Sequence, residues 1–236
     1  MIEILRNIEF EPFILSFKLA GITTLILFLI SLPIAWYLSQ TKSKFKPILE
    51  AVTALPIVLP PSVLGFYILV SLSHNSPIGQ FFQEYFGTKL VFNFTGLIIA
   101  SCFYSLPFMV QPLQGGLESI NKNMLEASYI SGKSKLETLF RVALPNIKPA
   151  LLTAIIITFS HTVGEFGVVL MIGGSIPDQT KVASIAIYEF TEMMDYSKAH
   201  VYSIIMIILS FSTLLGVYIF NGKQKKLFKR NIKRSF

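Results

Sequence analysis

Along the chain, apolar stretches long enough to cross a bilayer alternate with short polar segments. A hydrocarbon core of roughly 30 Å takes about 20 residues of helix, and five stretches qualify. They run from about Phe13 to Leu38, interrupted by Lys18; from about Ala51 to Leu72; within the uncharged segment Leu90 to Leu117; from about Ala150 to Ile172, interrupted by His161 and Glu165; and from Val201 to Phe220, with no charge. The pattern predicts an all-α integral membrane protein with about five transmembrane helices. A sixth short segment, at the N-terminus or within Gly173 to His200, stays open.

The polar segments carry patterns of their own. Ser71 to Lys89 is polar and aromatic. Gly173 to His200 contains Ile185, Ala186, Tyr188, Phe190 and Met193 at mixed spacing, and is read as a short helix lying at the outer interface. The longest segment is Glu118 to Lys148. In it Leu125, Tyr129, Gly132, Leu136, Leu139 and Phe140 recur at steps of four and three, which is the stripe of one helix or two short ones. Pro145 and Pro149 mark its end and the start of the fourth span.

Composition closes off the main alternative. Of 236 residues, 53% are hydrophobic and 14% charged, with a mean hydropathy of +0.63. That leaves too little polar surface to coat a water-soluble fold around buried helices. The net charge of +7 is a matter of topology. Fifteen of the 20 basic residues lie in three segments: Lys42 to Lys46, Lys122 to Lys148, and Lys223 to Arg234. With five spans these segments share one side, which the positive-inside rule makes the cytoplasm. The expected orientation is therefore N-out, C-in. Nucleic-acid binding is disfavoured, because the basic residues are split over three segments and the aromatics lie in or beside the spans. The basic tail, residues 220–236, is expected near anionic headgroups.

The beginning "MIEILRNIEFEP" has three glutamates and one arginine, the wrong sign for a signal peptide. Cys102 is the one cysteine, so neither an internal disulfide nor a cysteine metal cluster is available. His74, His161 and His200 lie far apart. No catalytic residue, metal or cofactor is assigned.

One motif invites a nucleotide-binding reading. Ala127, Gly132, Lys133 and Ser134 fit A-x-x-x-x-G-K-S. A phosphate loop needs a buried strand that delivers a glycine-rich turn onto a helix N-terminus. Here "ESINKNMLE" precedes it, with no β-run, and about thirty residues cannot hold a nucleotide domain of on the order of 100. The match is chance.

The same stretch, "LEASYISGKSKLETLFRVALP", resembles the cytoplasmic loop of binding-protein-dependent ABC importer permeases. The family pattern is E-A-A, three residues, G, nine residues, then I-x-L-P. Glu126, Ala127 and Ser128 stand for E-A-A, Gly132 has the expected spacing, and Val142, Leu144 and Pro145 supply the ending. The resemblance implies a coupling helix that fits a groove on a separate ATPase subunit. The residue types suit it: Leu125, Tyr129 and Leu136 are apolar knobs, Ala127 and Ser128 permit close approach, and Glu126 can meet a basic residue.

Two more stretches resemble the molybdate-type branch of these permeases. One is L-P-x-V-L-P-P at Leu55 to Pro61, with Pro56, Pro60 and Pro61. The other is G-E-F-G at Gly164 to Gly167, followed by Ser175-Ile176-Pro177 and a T-x-x-x-S-x-A-I-Y run ending at Tyr188. Related sulfate permeases tend to read G-E-Y-G, so Phe166 leans toward molybdate or tungstate. One departure is Asp178, where the family often has glycine. The resemblance covers roughly residues 11–219, taken as the permease domain.

Prolines inside a span break the helix where neighbours or water satisfy the freed groups. Pro56, Pro60, Pro61, Gly164, Glu165 and Gly167 are therefore the candidate pathway or gate residues. An ionisable residue inside a span is a functional candidate by default. Glu165 and Lys18 lie at similar depth from the same end, so a Lys18–Glu165 ion pair is expected, with His161, one turn from Glu165, in its network. No buried Arg or Lys cluster exists to hold a dianion, so neutral donors are expected on the pathway, with Ser62, Ser105 and Thr162 as candidates.

The resemblance implies a prokaryotic plasma or inner membrane permease for a tetrahedral oxyanion. Its partners would be an ABC ATPase, an extracytoplasmic oxyanion-binding protein and a second copy of the chain. Two readings from other classes are an ion-driven secondary transporter with Glu165 and His161 as a proton site, and a membrane enzyme. The first predicts inverted repeats, which are not seen. The second lacks a polar constellation.

Overall fold

The computed structural model describes residues 8–232, except for the side chains of 217 and 220–232. Those residues form helices and connecting turns, with no strand among them. Three helices are long and apolar enough to cross a membrane alone: α1 (Glu11–Gln40), α5 (Phe94–Glu118), and the first part of α12 (Tyr196–Ile232), over Tyr196–Gly216. The spans become five if each of two bent helix pairs is counted as one. The expected count is therefore met only by way of broken helices. Residues 1–7 and 233–236, which hold part of the expected N-terminal segment and tail, lie outside the described residues.

The second span is broken, as its prolines predict. α2 (Lys46–Val58) and α3 (Pro61–Leu72) meet at 109°. The cause is local. Pro60 and Pro61 have no N–H to give, and each forces the residue before it out of the helical region. Leu59 accordingly has ψ 136° and Pro60 ψ 138°.

The expected fourth span, Ala150 to Ile172, is also interrupted. α9 (Lys148–Val163) stops, Gly164 to Phe166 run out of helix, and α10 (Gly167–Gly173) resumes. At 1.5 Å per residue the sixteen residues of α9 reach about 24 Å, short of a full crossing. Before α9 come α6 (Lys122–Ile130), α7 (Lys135–Thr138), a π-helical turn at Leu139–Ala143 and α8 (Leu144–Asn146). The arm from Lys135 to Asn146 lies at 83° to α9.

Two smaller helices lie outside this scheme. α4 (Pro77–Phe86) sits in the segment expected only to be polar and aromatic. Ser76 caps it by accepting from Gly79 N–H at 2.9 Å, and Gly87 ends it at φ 64°. α11 (Ala183–Glu192) falls where a short interfacial helix was expected, yet Ala183, Ile185 and Ala186 are fully buried. It is wedged into the bundle rather than resting on its surface.

Two contacts fix how the ends are arranged. Tyr202 hydroxyl meets the Glu9 backbone, and its ring stacks on Phe13 at 5.2 Å, so α1 and α12 start at the same end. Lys46 Nζ reaches Glu118 Oε1 at 2.8 Å, so the α1–α2 loop and the close of α5 share the opposite end, next to α6. The core is correspondingly divided. One cluster joins Leu19, Leu97, Val168 and Ile172 near the start of α1; another joins Leu27, Leu113, Leu125 and Ile147 near α6. Large apolar side chains cover the outside, Val58, Tyr67, Ile207 and Phe211 among them. That is the surface a lipid environment leaves unpenalised.

Candidate functional site

The first candidate is the segment α6–α8. Asn121 starts α6 by accepting from the Asn123 N–H at 3.0 Å. Gly132, at φ 78°, turns the chain into α7. Ser134 and Glu137 then form a reciprocal cap: Ser134 Oγ accepts from Glu137 N–H at 3.2 Å, and Glu137 Oε2 accepts from Ser134 N–H at 3.1 Å. That backbone bond, aided by Arg141, holds the Glu137 carboxyl below its ordinary range. Ser134 of the G-K-S string is thus a helix cap, and no strand leads into it.

The exposed face differs from the expected one. Leu125 is 5% exposed and sits in the core with Leu139 and Ile147. It anchors the loop and does not present a knob. Ser128 is also buried, with its hydroxyl 2.9 Å from that of Thr138. The apolar groups facing out are Met124, Tyr129, Ile130 at 86%, Leu136 at 68% and Phe140, beside exposed Glu126, Ala127 and Gly132. Val142 and Leu144 are half-buried and Pro145 is exposed. Ile130 was missed because it falls outside the stripe.

The second candidate is where the two broken spans meet. A Cβ placed on Gly167 would lie 2.9 Å from Pro61 Cβ, and one on Gly65 would lie 3.0 Å from Met171 Sδ. The break after α2 therefore abuts the break after α9. Pro56 is buried, while Pro60, Pro61 and Ser62 are exposed. The backbone groups freed by the break find side chains. Ser184 Oγ donates to the Glu165 carbonyl at 2.6 Å. Thr180 Oγ1 donates to the Gly173 carbonyl at 2.7 Å and accepts from Ile176 N–H at 3.0 Å. Ser16 Oγ accepts from Ala183 N–H at 2.9 Å and donates to the Pro12 carbonyl. The threonine and serine of the T-x-x-x-S run are thus fasteners for irregular backbone at membrane depth. Asp178, the departure from glycine, has φ 61°, a left-handed conformation that aspartate tolerates better than most residues.

The expected Lys18–Glu165 pair is not formed. Glu165 is 4% exposed, and neither carboxyl oxygen has a hydrogen-bond partner; Ser101 approaches without reaching bonding geometry. Lys18 is exposed, with Nζ 4.9 Å from the centre of the Phe94 ring. Lys18 lies by Phe94 at the start of α5, whereas the hydroxyl nearest Glu165 is that of Ser101, about two turns further along that helix. His161 does not join Glu165 either. Its Nδ1 lies 2.9 Å from Ser105 Oγ, which lies 3.0 Å from Thr162 Oγ1, which donates to the Thr158 carbonyl at 3.0 Å. Ser105 and Thr162 are buried and committed to this chain of bonds, so they are not the free donors expected of them. The ring is held between Phe108, stacked at 4.0 Å, and Tyr104 at 4.7 Å.

At the α6 end, α2 and α5 border a cavity of about 460 Å³ lined by Glu50, Thr53, Gln111, Gln114 and Glu118 with small residues between them. Gln114 Nε2 donates to Glu50 Oε1 at 2.5 Å and to Glu118 Oε1 at 3.0 Å, and Lys46 pairs with Glu118. None of these groups was singled out from sequence.

Residues 22–227 match the family described as binding-protein-dependent transport system inner membrane component. A molybdenum transport system permease protein, ModB, of Azotobacter vinelandii is 46% identical over 204 residues, 86% of this chain and 90% of its own length. A probable sulfate transport system permease protein, cysT, of Helicosporidium sp. subsp. Simulium jonesii is 34% identical over 215 residues, 91% of this chain and 79% of its own. In fold, the chain is similar to a bacterial ABC transporter involved in the import of the acidic polysaccharide alginate, with a TM-score of 0.75 and 16% identity over 90% of this chain and 78% of that one.

Proposed function

Because the chain belongs to the family of binding-protein-dependent transport system inner membrane components, it is a multi-pass permease subunit of an ABC importer, and we propose that its cargo is molybdate. The observation that carries the choice of cargo is the 46% identity to a molybdenum transport permease over nearly the full length of both chains. The G-E-F-G at Gly164 to Gly167 leans the same way. Sulfate is the second reading, favoured by the 34% identity to a sulfate permease.

In this reading residues 11–219 form the permease domain, with the N-terminus outside and residues 220–236 on the cytoplasmic side. An ATPase subunit docks on the exposed face of α6 and α7. Ala127 and Gly132 permit a close fit there, Glu126 supplies a charge, and Ile130 and Leu136 supply apolar knobs. Val142, Leu144 and Pro145 join that arm to α9. A binding protein delivers the oxyanion from outside, and a second copy of the chain completes a two-fold pathway. The breaks at Pro60–Pro61 and Gly164–Gly167, which touch each other, form the gate: a movement of α9 driven from the docking arm reaches α3 through Gly167 and Pro61. Pro56 fixes the approach to the first break. Hydrolysis belongs to the partner subunit.

The test is ATP-driven uptake by the chain reconstituted with its ATPase and binding protein, with molybdate, tungstate and sulfate in competition. Molybdate uptake that excess sulfate does not suppress supports the proposal. Preferential sulfate uptake, or uptake without the ATPase, overturns it.

A further inference from the structure

One face of α5 passes from aromatic at its middle to polar at its end. Tyr104, Phe108, Gln111, Gly115 and Glu118 follow one another at steps of four and three, so they share a helix face. The last three are exposed, and Gln111, Gly115 and Glu118 all line the cavity bordered by α2. The His161 ring is set against the other end of the stripe, at the level of Ser105, about 20 Å from Glu118 along the helix. A face turned to lipid would leave the Gln111 amide and the imidazole edge without partners, at a cost of several kcal/mol per group.

The bonds behind His161 decide which ring nitrogen is committed. Thr162 Oγ1 gives its one hydrogen to the Thr158 carbonyl. Ser105 Oγ must then give its hydrogen to Thr162 Oγ1, and the hydrogen between Ser105 and the ring must come from Nδ1. Only this assignment places a hydrogen in all three contacts. Nε2 is left with its lone pair free and no partner among the described residues. It can meet an oxyanion only while carrying a proton, which arrives as hydronium from the aqueous phase and goes back to it as the ion leaves. The Nδ1 bond is unchanged in either state. Of the titratable neighbours, Tyr104 touches the ring, Lys18 is turned to Phe94, and Glu165, one turn on, is buried.

We propose that this face of α5, with His161 set in it, walls the aqueous route of the transported oxyanion, and that His161 Nε2 is the contact the chain offers the ion there. The inference rests on the transport reading above, and its test separates the two. In the complex with ATPase and binding protein, with Cys102→Ser as background, single cysteines replace His161, Gln111, Ile207 and Lys44, the last exposed in the α1–α2 loop away from the docking face. Each is treated in liposomes with a charged thiosulfonate and with a lipid-soluble maleimide. Positions 161 and 111 should react with the charged reagent within about ten-fold of position 44, while 207 reacts with the lipid-soluble one alone. If 161 and 111 behave like 207, or react with neither, the wall is misplaced, whatever the cargo.

The ion contact is read from molybdate uptake. His161→Gln puts an amide near the Nε2 position; His161→Asn reaches only the Nδ1 position. Contact through Nε2 predicts a KM raised ten-fold or more for Asn with kcat within three-fold, and a KM within three-fold of wild type for Gln. The reverse order, with Gln impaired and Asn intact, would make His161 a packing residue and overturn the assignment. Failure of the unsubstituted complex to move molybdate counts against the cargo, and the cysteine result still decides the wall.

Discussion

Gly167 faces Pro61 with no room for a side chain between them: a Cβ on Gly167 would stand 2.9 Å from Pro61 Cβ. Gly164, three residues earlier, has only carbonyl oxygens at 3.7 and 3.8 Å from such an atom. Gly167→Ala should therefore cost about 1–3 kcal/mol through overpacking between two rigid backbones, and Gly164→Ala should be close to neutral. Thermal melting of the purified chain in detergent separates them. Equal melting of both variants would remove the contact as a constraint.

Ser184 closes the break after α9 through the Glu165 carbonyl. Ser184→Ala leaves that carbonyl without its side-chain donor in a dry setting and should lower stability by about 1–3 kcal/mol. Ser184→Thr, which keeps the hydroxyl, should recover most of it. The check is the melting midpoint of the two variants side by side.

Lys18 and Glu165 face different surroundings, so exchanging their charges has nothing to restore. Lys18→Glu combined with Glu165→Lys should transport no better than the worse single variant. Glu165→Gln, which keeps the shape of a side chain with no bonded partner, should melt within about 1 kcal/mol of the parent. Rescue of uptake by the double exchange would show that the two do meet during the cycle.

On the proposed reading, docking and stability should separate at the α6–α7 arm. Ile130→Asp and Leu136→Asp alter exposed side chains and should reduce co-purification of the ATPase ten-fold or more while leaving the melting midpoint unchanged. Leu125→Ala should do the opposite at the level of the chain, costing about 2–5 kcal/mol as a cavity in the core. If Leu125→Ala lost the ATPase without losing stability, the inward orientation of Leu125 would be wrong.

Gly132 holds φ 78° with open space around it. Any penalty on substitution is then conformational. Gly132→Val should cost more than the about 1–2 kcal/mol typical of a left-handed residue, and Gly132→Asn less. ATPase stimulation by the complex should fall in that order, because the turn sets the angle between α6 and α7.

What the sequence determined by itself is everything local. Apolar runs placed the membrane segments, because burying twenty apolar residues in lipid needs no knowledge of neighbours. Pro60–Pro61 announced a break, since missing donors and ring clashes act on adjacent residues. The spacing from Glu126 to Pro145 carried the resemblance to the permease family's cytoplasmic loop, since it is a pattern along adjacent residues. The tertiary structure decided which way each side chain points. Leu125 and Ile130 are both apolar and five residues apart, yet one is core and the other surface, because packing against Leu139 and Ile147 sets the rotation of α6. Counting residues places Lys18 and Glu165 level, yet one packs by Phe94 and the other by Ser101, about two turns apart on α5. Ser105 looked like a free hydroxyl until α9 was laid against α5, where it became the support of His161. Depth along a helix follows from counting residues; direction around its axis is fixed only when several helices close on one another.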